Sequence, residues 1–199
     1  MKNIYLLVVL GAMLLLVLFT HTSCTKSSEV KSLTKEQMIE RGHYLVEFGS
    51  CHDCHSPKVY TDMGPIPDTT RLLSGHPANE MLPVGDVKMV QPGMWVMTEK
   101  NFTAWVGPWG ISYAANLTPD TETGLGVVTE EMFIKTLREG KLKGMMRPLL
   151  PPMPWPGIGS LNDEDLKCIY AYLRSVKPIR NVVPMPVPPE KMGKVLAKK

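Results

Sequence analysis

Cysteine is scarce in this chain, with four residues in 199, and only Cys51 and Cys54 stand close together. Cys24 and Cys168 are solitary. A structural zinc site needs a second ligand pair at suitable spacing, so the zinc reading fails. No βαβ pattern precedes Cys51, and that removes the context a thioredoxin-type dithiol requires. Strong charge is also missing: the formal net charge is +3, with a pI near 8.6. No basic stripe is present, which excludes a nucleic-acid partner. One long apolar run occurs, and it lies at the N-terminus, Ile4 to Phe19.

The chain is rich in proline, with 18 residues, and in methionine, with 14. The prolines predict much irregular structure. The methionines are core or gap fillers, apart from any that serve as a ligand. A length of 199 residues and 44% hydrophobic composition suit one domain with accessories.

The sequence is organised around Cys51-His52-Asp53-Cys54-His55. This is C-x-x-C-H, the attachment pattern of c-type haem. Two thiols three positions apart on one turn can add to the two vinyl groups of one haem. The next residue, His55, then lies under the iron and supplies an imidazole nitrogen as axial ligand. Cys51 and Cys54 are the expected covalent anchors of a single haem c.

Lys2, the apolar run and then Thr20-His21-Thr22-Ser23-Cys24 read as an export signal over 1–23. A small residue directly before cysteine is similar to a bacterial lipoprotein cleavage site, which implies lipid on the Cys24 sulfur. His21 stands where such sites usually carry leucine. An uncleaved helical anchor and ordinary signal cleavage are the alternatives. All three put the body on the periplasmic side of a bacterial membrane, where haem is attached. Residues 24–33 read as a polar tether, 34–178 as the haem domain, and 179–199 as a proline-rich strap with a disordered basic end.

Three helices are predicted. The first runs from Lys35 to Phe48, with Thr34 and Gln37 as a capping box and Leu33 and Met38 as a hydrophobic staple. Gly42 within it costs on the order of 1 kcal/mol against alanine. Close approach of another helix would account for that cost. The second starts at Thr129 and stops at Gly140, and the third runs from Asp163 to Val176, capped by Asn162 and ended by Pro178. Cys168 lies in the third helix and reads as a small buried hydrophobe. Residues 56–128 show no helix and are expected to pack on the porphyrin, with a small hairpin over Val87–Met97. A carbonyl near Pro57, Pro65 or Pro67 is expected to accept from His55 Nδ1. Arg71, Trp105 and Trp109 are candidates to meet the haem edge.

For the sixth iron position, Met153 is best placed. It lies between the second and third helices, on backbone stiffened by Pro151, Pro152 and Pro154, and a pre-held loop loses less entropy on ligation. Met145 and Met146 are the fallback, and His76 comes after them. Methionine there makes an electron carrier of raised potential, whereas an open position allows ligand binding or activation.

The chain resembles the class I c-type cytochromes, most of all the domains that accept electrons from membrane-bound dehydrogenases. The matching stretches are Arg41–Val46 before Cys51–His55, Asn116–Asp120 with Thr123–Gly126, Pro152–Trp155, and Asp163–Leu166 through Tyr170–Arg174. The resemblance implies an all-α fold, three main helices around one covalent haem, with the first and last helices crossing. It carries over Cys51, Cys54, His55 and Met153 as haem contacts. The long 56–128 segment and Cys168 depart from the family pattern, and one C-x-x-C-H matches one domain of the multihaem subunits. The expected function is electron transfer rather than enzymic catalysis. The expected partners are a dehydrogenase upstream and an oxidase or another cytochrome downstream. A haem enzyme or gas sensor with an open or labile sixth position is the rival, and a redox subunit bound permanently to a dehydrogenase through the 56–128 insertion and the basic tail is a third reading.

Overall fold

The computed structural model describes residues 32–142 and 147–197. The leader, Cys24, most of the tether, and the two fallback ligands Met145 and Met146 lie outside the described residues.

Helix α1 spans Lys35–Phe48 and begins at Thr34, whose hydroxyl accepts from Gln37 N while Gln37 Oε1 accepts from Thr34 N. Two orphan donors of the first turn are thereby satisfied. After Gly49 and Ser50 comes the single-turn helix α2, Cys51–His55. Helix α3, Glu130–Glu139, is capped by Thr129 and closed by Gly140 at φ 64°. Helix α4, Trp155–Gly159, is short, and α5 spans Asp163–Ser175 behind Asn162. Helices α1 and α5 pack together where Gly42 lies on Cys168, so closely that a Cβ at 42 would overlap the Cys168 carbonyl oxygen. The main core gathers Val46, Leu73, Phe133, Leu137, Leu166, Cys168, Ile169 and Leu173 from these helices and one loop.

The protein is not all-α. Seven strands form three antiparallel sheets among the described residues. Strands β1, Lys58–Thr61, and β2, Gly64–Pro67, pair directly after the C-x-x-C-H turn. Pro65 and Pro67 are tolerated because β2 is an edge strand. Strands β3, Met97–Thr98, β4, Ala104–Gly107, and β5, Gly110–Tyr113, make a three-stranded sheet. Strands β6, Lys141–Leu142, and β7, Arg147–Pro148, form a short pair ahead of the Met153 loop.

Three further expectations give way to the structure. The hairpin expected over Val87–Met97 is absent: Val87–Val90 is a 3₁₀ turn, and the hairpin lies further on, at β4–β5. Its signal was the β-rich Ala104-Trp105-Val106 and Ile111-Ser112-Tyr113 around Gly107-Pro108-Trp109-Gly110, where Gly110 takes φ 106°. Residues 56–128 do not depend on a porphyrin for all their packing. Val90, Val106 and Ile111 form a second core with Met192 and Leu196. The end of the chain therefore does not match the disordered tail expected there. Val187 bridges Ile111, and Met192–Leu196 forms helix α6 with Met192 and Leu196 buried. No helix among the described residues is long and apolar enough to cross a membrane.

Candidate haem site

The Cys51-His52-Asp53-Cys54-His55 turn is anchored from three directions. His52 is buried, with Nδ1 2.9 Å from Ser56 Oγ and Nε2 3.3 Å from Glu47. Ser56 Oγ also accepts from Leu73 N at 2.9 Å. The His55 carbonyl accepts from Gly75 N at 2.8 Å. Cys51 and Cys54 sit half-buried on this one turn as free thiols. Burial pushes the Cys51 thiol up to about 11, and burial also raises Cys54. Both shifts run upward, whereas a catalytic dithiol carries a lowered thiol pKa.

His55 is buried, and its Nδ1 lies 2.8 Å from the carbonyl oxygen of Ala115. That carbonyl requires Nδ1 to carry the proton, which leaves Nε2 with a free lone pair. Burial lowers the His55 pKa and so favours the neutral ring that can bind a metal. The acceptor is thus sixty residues away in sequence, not among the prolines that follow the motif. Its position is set by close backbone packing. Leu117 N donates to Leu73 O, His76 N donates to Ala114 O, and Gly75 at φ 76° lies against the Ala114–Ala115 backbone.

Met153 is partly buried and packs against the main core, as Cys51 does. Its loop is tied to the β-sheet: Ser112 Oγ donates to Pro151 O at 2.6 Å and accepts from Trp109 Nε1 at 3.3 Å. His76 is fully buried with both ring nitrogens engaged, Nδ1 with Thr103 Oγ1 at 2.9 Å and Nε2 with Glu80 O at 3.4 Å. The edge candidates have protein partners of their own. Arg71 pairs with Asp68, Trp105 Nε1 donates to Phe102 O, and Trp109 serves Ser112. Ser56, Gly75, Ser112 and Ala115 escaped sequence reasoning, because each acts through a partner distant in the chain.

No family model matches the chain. Over 147 residues it is 30% identical to one of the subunits of nicotinate dehydrogenase from Pseudomonas putida, covering 74% of this chain and 9% of that protein. It is 30% identical over 145 residues to the gluconate 2-dehydrogenase cytochrome c subunit of Pantoea cypripedii, covering 72% and 24%. The alcohol dehydrogenase (quinone) cytochrome c subunit of Gluconobacter oxydans is 29% identical over 145 residues, covering 72% and 23%. The chain carries a cytochrome c domain. It spans less than a quarter of the length of each of these relatives. Cytochrome c relatives imply haem c, and the cytochrome's donor set fits that group: two thiols on one turn, a neutral imidazole with its outer nitrogen already bonded, and a half-buried thioether on a tethered loop.

Proposed function

We propose that this cytochrome is an electron carrier that holds one covalently attached haem and serves membrane-associated redox partners. The observation that carries the reading is the His55–Ala115 hydrogen bond, which prepares an imidazole beside two thiols on the same turn. Bound haem supplies the one-electron ferric–ferrous couple. The protein's part is to hold it still. Cys51 and Cys54 are the residues that would hold it covalently, each as a thioether formed by adding S–H across a vinyl C=C. Ala115 fixes the plane of the His55 ring through Nδ1–H. Met153 offers its sulfur as the sixth ligand from a loop that Ser112 restrains. If His55 and Met153 both held the iron, neither oxidation state would have to bind or lose a ligand.

The relatives' names support a dehydrogenase as donor, with an oxidase or another cytochrome as acceptor. The sequence also supports a lipid on Cys24, with the following polar residues as a tether to the periplasmic face of a membrane. Incorporation of labelled palmitate that stops in Cys24→Ala tests this anchor. The haem assignment is tested by haem-stained denaturing electrophoresis of protein made in a haem-attaching host. Colour should stay with the wild-type chain and leave the Cys51→Ser, Cys54→Ser double variant. A wild-type chain that loses its colour on denaturation would exclude covalent attachment.

A further inference from the structure

Lys58 opens β1 and is buried, at 9% exposure. Its Nζ donates to three backbone carbonyls of the haem-attachment stretch: His52 at 3.1 Å, Asp53 at 2.9 Å and Ser56 at 2.5 Å. An ammonium has three N–H donors and here finds three acceptors. A neutral amine would have only two. Among the described residues no carboxylate lies within ion-pair distance of it; burial lowers its pKa, and Asp53 and Glu99 oppose that shift from further off. Its backbone N–H donates to Asn101 Oδ1 at 3.1 Å, which holds the strand start in place. Burying an ammonium without a counter-ion is costly. Here the cost is met at one spot, the carbonyl end of the turn that carries Cys51, Cys54 and His55.

We propose that Lys58 is a positioning residue for the haem-attachment turn and that its buried positive charge raises the reduction potential of the iron. This rests on the haem reading given above. The His52 carbonyl already accepts from Ser56 N at 3.2 Å, but Pro57 has no N–H to offer Asp53 O, and a cation there satisfies and stabilises the end of the turn. Reduction adds one negative charge at the iron. A fixed positive charge nearby favours the reduced form, and burial protects that effect from salt. Neither iron ligand is contacted by Nζ, so its influence runs through the turn and through space.

The test compares midpoint potentials of wild type, Lys58→Met and Lys58→Arg holoproteins by optical redox titration. Covalent haem in the wild type is established first on a denaturing gel, so failure of the haem reading is visible separately. At a fixed applied potential, Lys58→Met should show a ferrous-to-ferric ratio lower by on the order of tenfold, about 59 mV for one electron. Lys58→Arg should recover most of it, and the ligation bands of the oxidised spectrum should not change. A Lys58→Met potential within about twofold in that ratio of wild type overturns the proposal. Should Lys58→Met not accumulate as holoprotein, Lys58→Gln takes its place, since an amide still donates to carbonyls without charge. Loss of both neutral variants with recovery by arginine supports the charged brace. Loss of all three shows that shape, not charge, is what the site requires, and overturns it.

Discussion

At the scale of single residues, the site depends on a carbonyl oxygen that no side-chain substitution can remove. Its environment can be changed, and Gly75 gives access to it. A Cβ there would lie 2.5 Å from Ala114 O and 2.6–2.7 Å from the Ala115 carbonyl group, on a backbone at φ 76°. Gly75→Ala should destabilise the protein by about 2–3 kcal/mol, from strain and overpacking together. It should also push Ala115 O away from His55 Nδ1. Thermal unfolding measures the first effect, and the oxidised absorption spectrum reads the second as a changed axial field. Normal stability with a normal spectrum would show that the Ala115 contact is not held by this packing. Cys51, Cys54 and His55 can be proposed as attachment residues from sequence because their chemistry is contiguous there. Ala115 was not legible, because any residue has a carbonyl and only the fold says which one faces the ring.

At the scale of elements, the helices were the readable part. Thr34, Thr129 and Asn162 announce their starts, and the corresponding side chains accept from Gln37, Met132 and Asp165 backbone N–H groups. Gly140 and Gly42 were also informative, one as a left-handed stop and the other as a contact point. Gly42→Ala should cost about 3 kcal/mol, because the new methyl meets the Cys168 backbone and α1 and α5 must separate. Chemical denaturation checks this, and a loss below about 1 kcal/mol would mean that the helix contact is looser than described. The strands were harder to read. Lys58–Pro67 and Ala104–Tyr113 are short and glycine- or proline-marked, and their pairing is decided by turn geometry. The Val87–Val90 stretch has strand-forming residues but follows Asp86, whose carboxylate accepts from Lys88 N and starts a 3₁₀ turn instead.

At the scale of the whole molecule, the last stretch of the chain runs back over the 56–128 insertion. Asn181 Nδ2 donates to Ser74 O and His76 O, and its Oδ1 accepts from Ala78 N. Val187 exchanges both backbone hydrogen bonds with Ile111. Met192 and Leu196 close the second core. Truncation after residue 178 should therefore strip protection from the amides of Val106 and Ile111 in hydrogen exchange while α1 and α5 keep theirs. Equal loss in both regions would mean one cooperative unit. None of this packing was legible, since Asn181 of the strap contacts partners 58 to 107 residues back and the strap's prolines resemble those of a free tail.

We propose that His55 and Met153 hold between them the iron of one covalently attached haem. The most direct measurement is the optical spectrum of oxidised holoprotein, wild type beside Met153→Ala. The wild type should show an iron–sulfur charge-transfer band that is absent from the variant. A wild type already without that band, and with a high-spin spectrum that shifts when carbon monoxide is added after reduction, would contradict the claim and place an open sixth position at the iron.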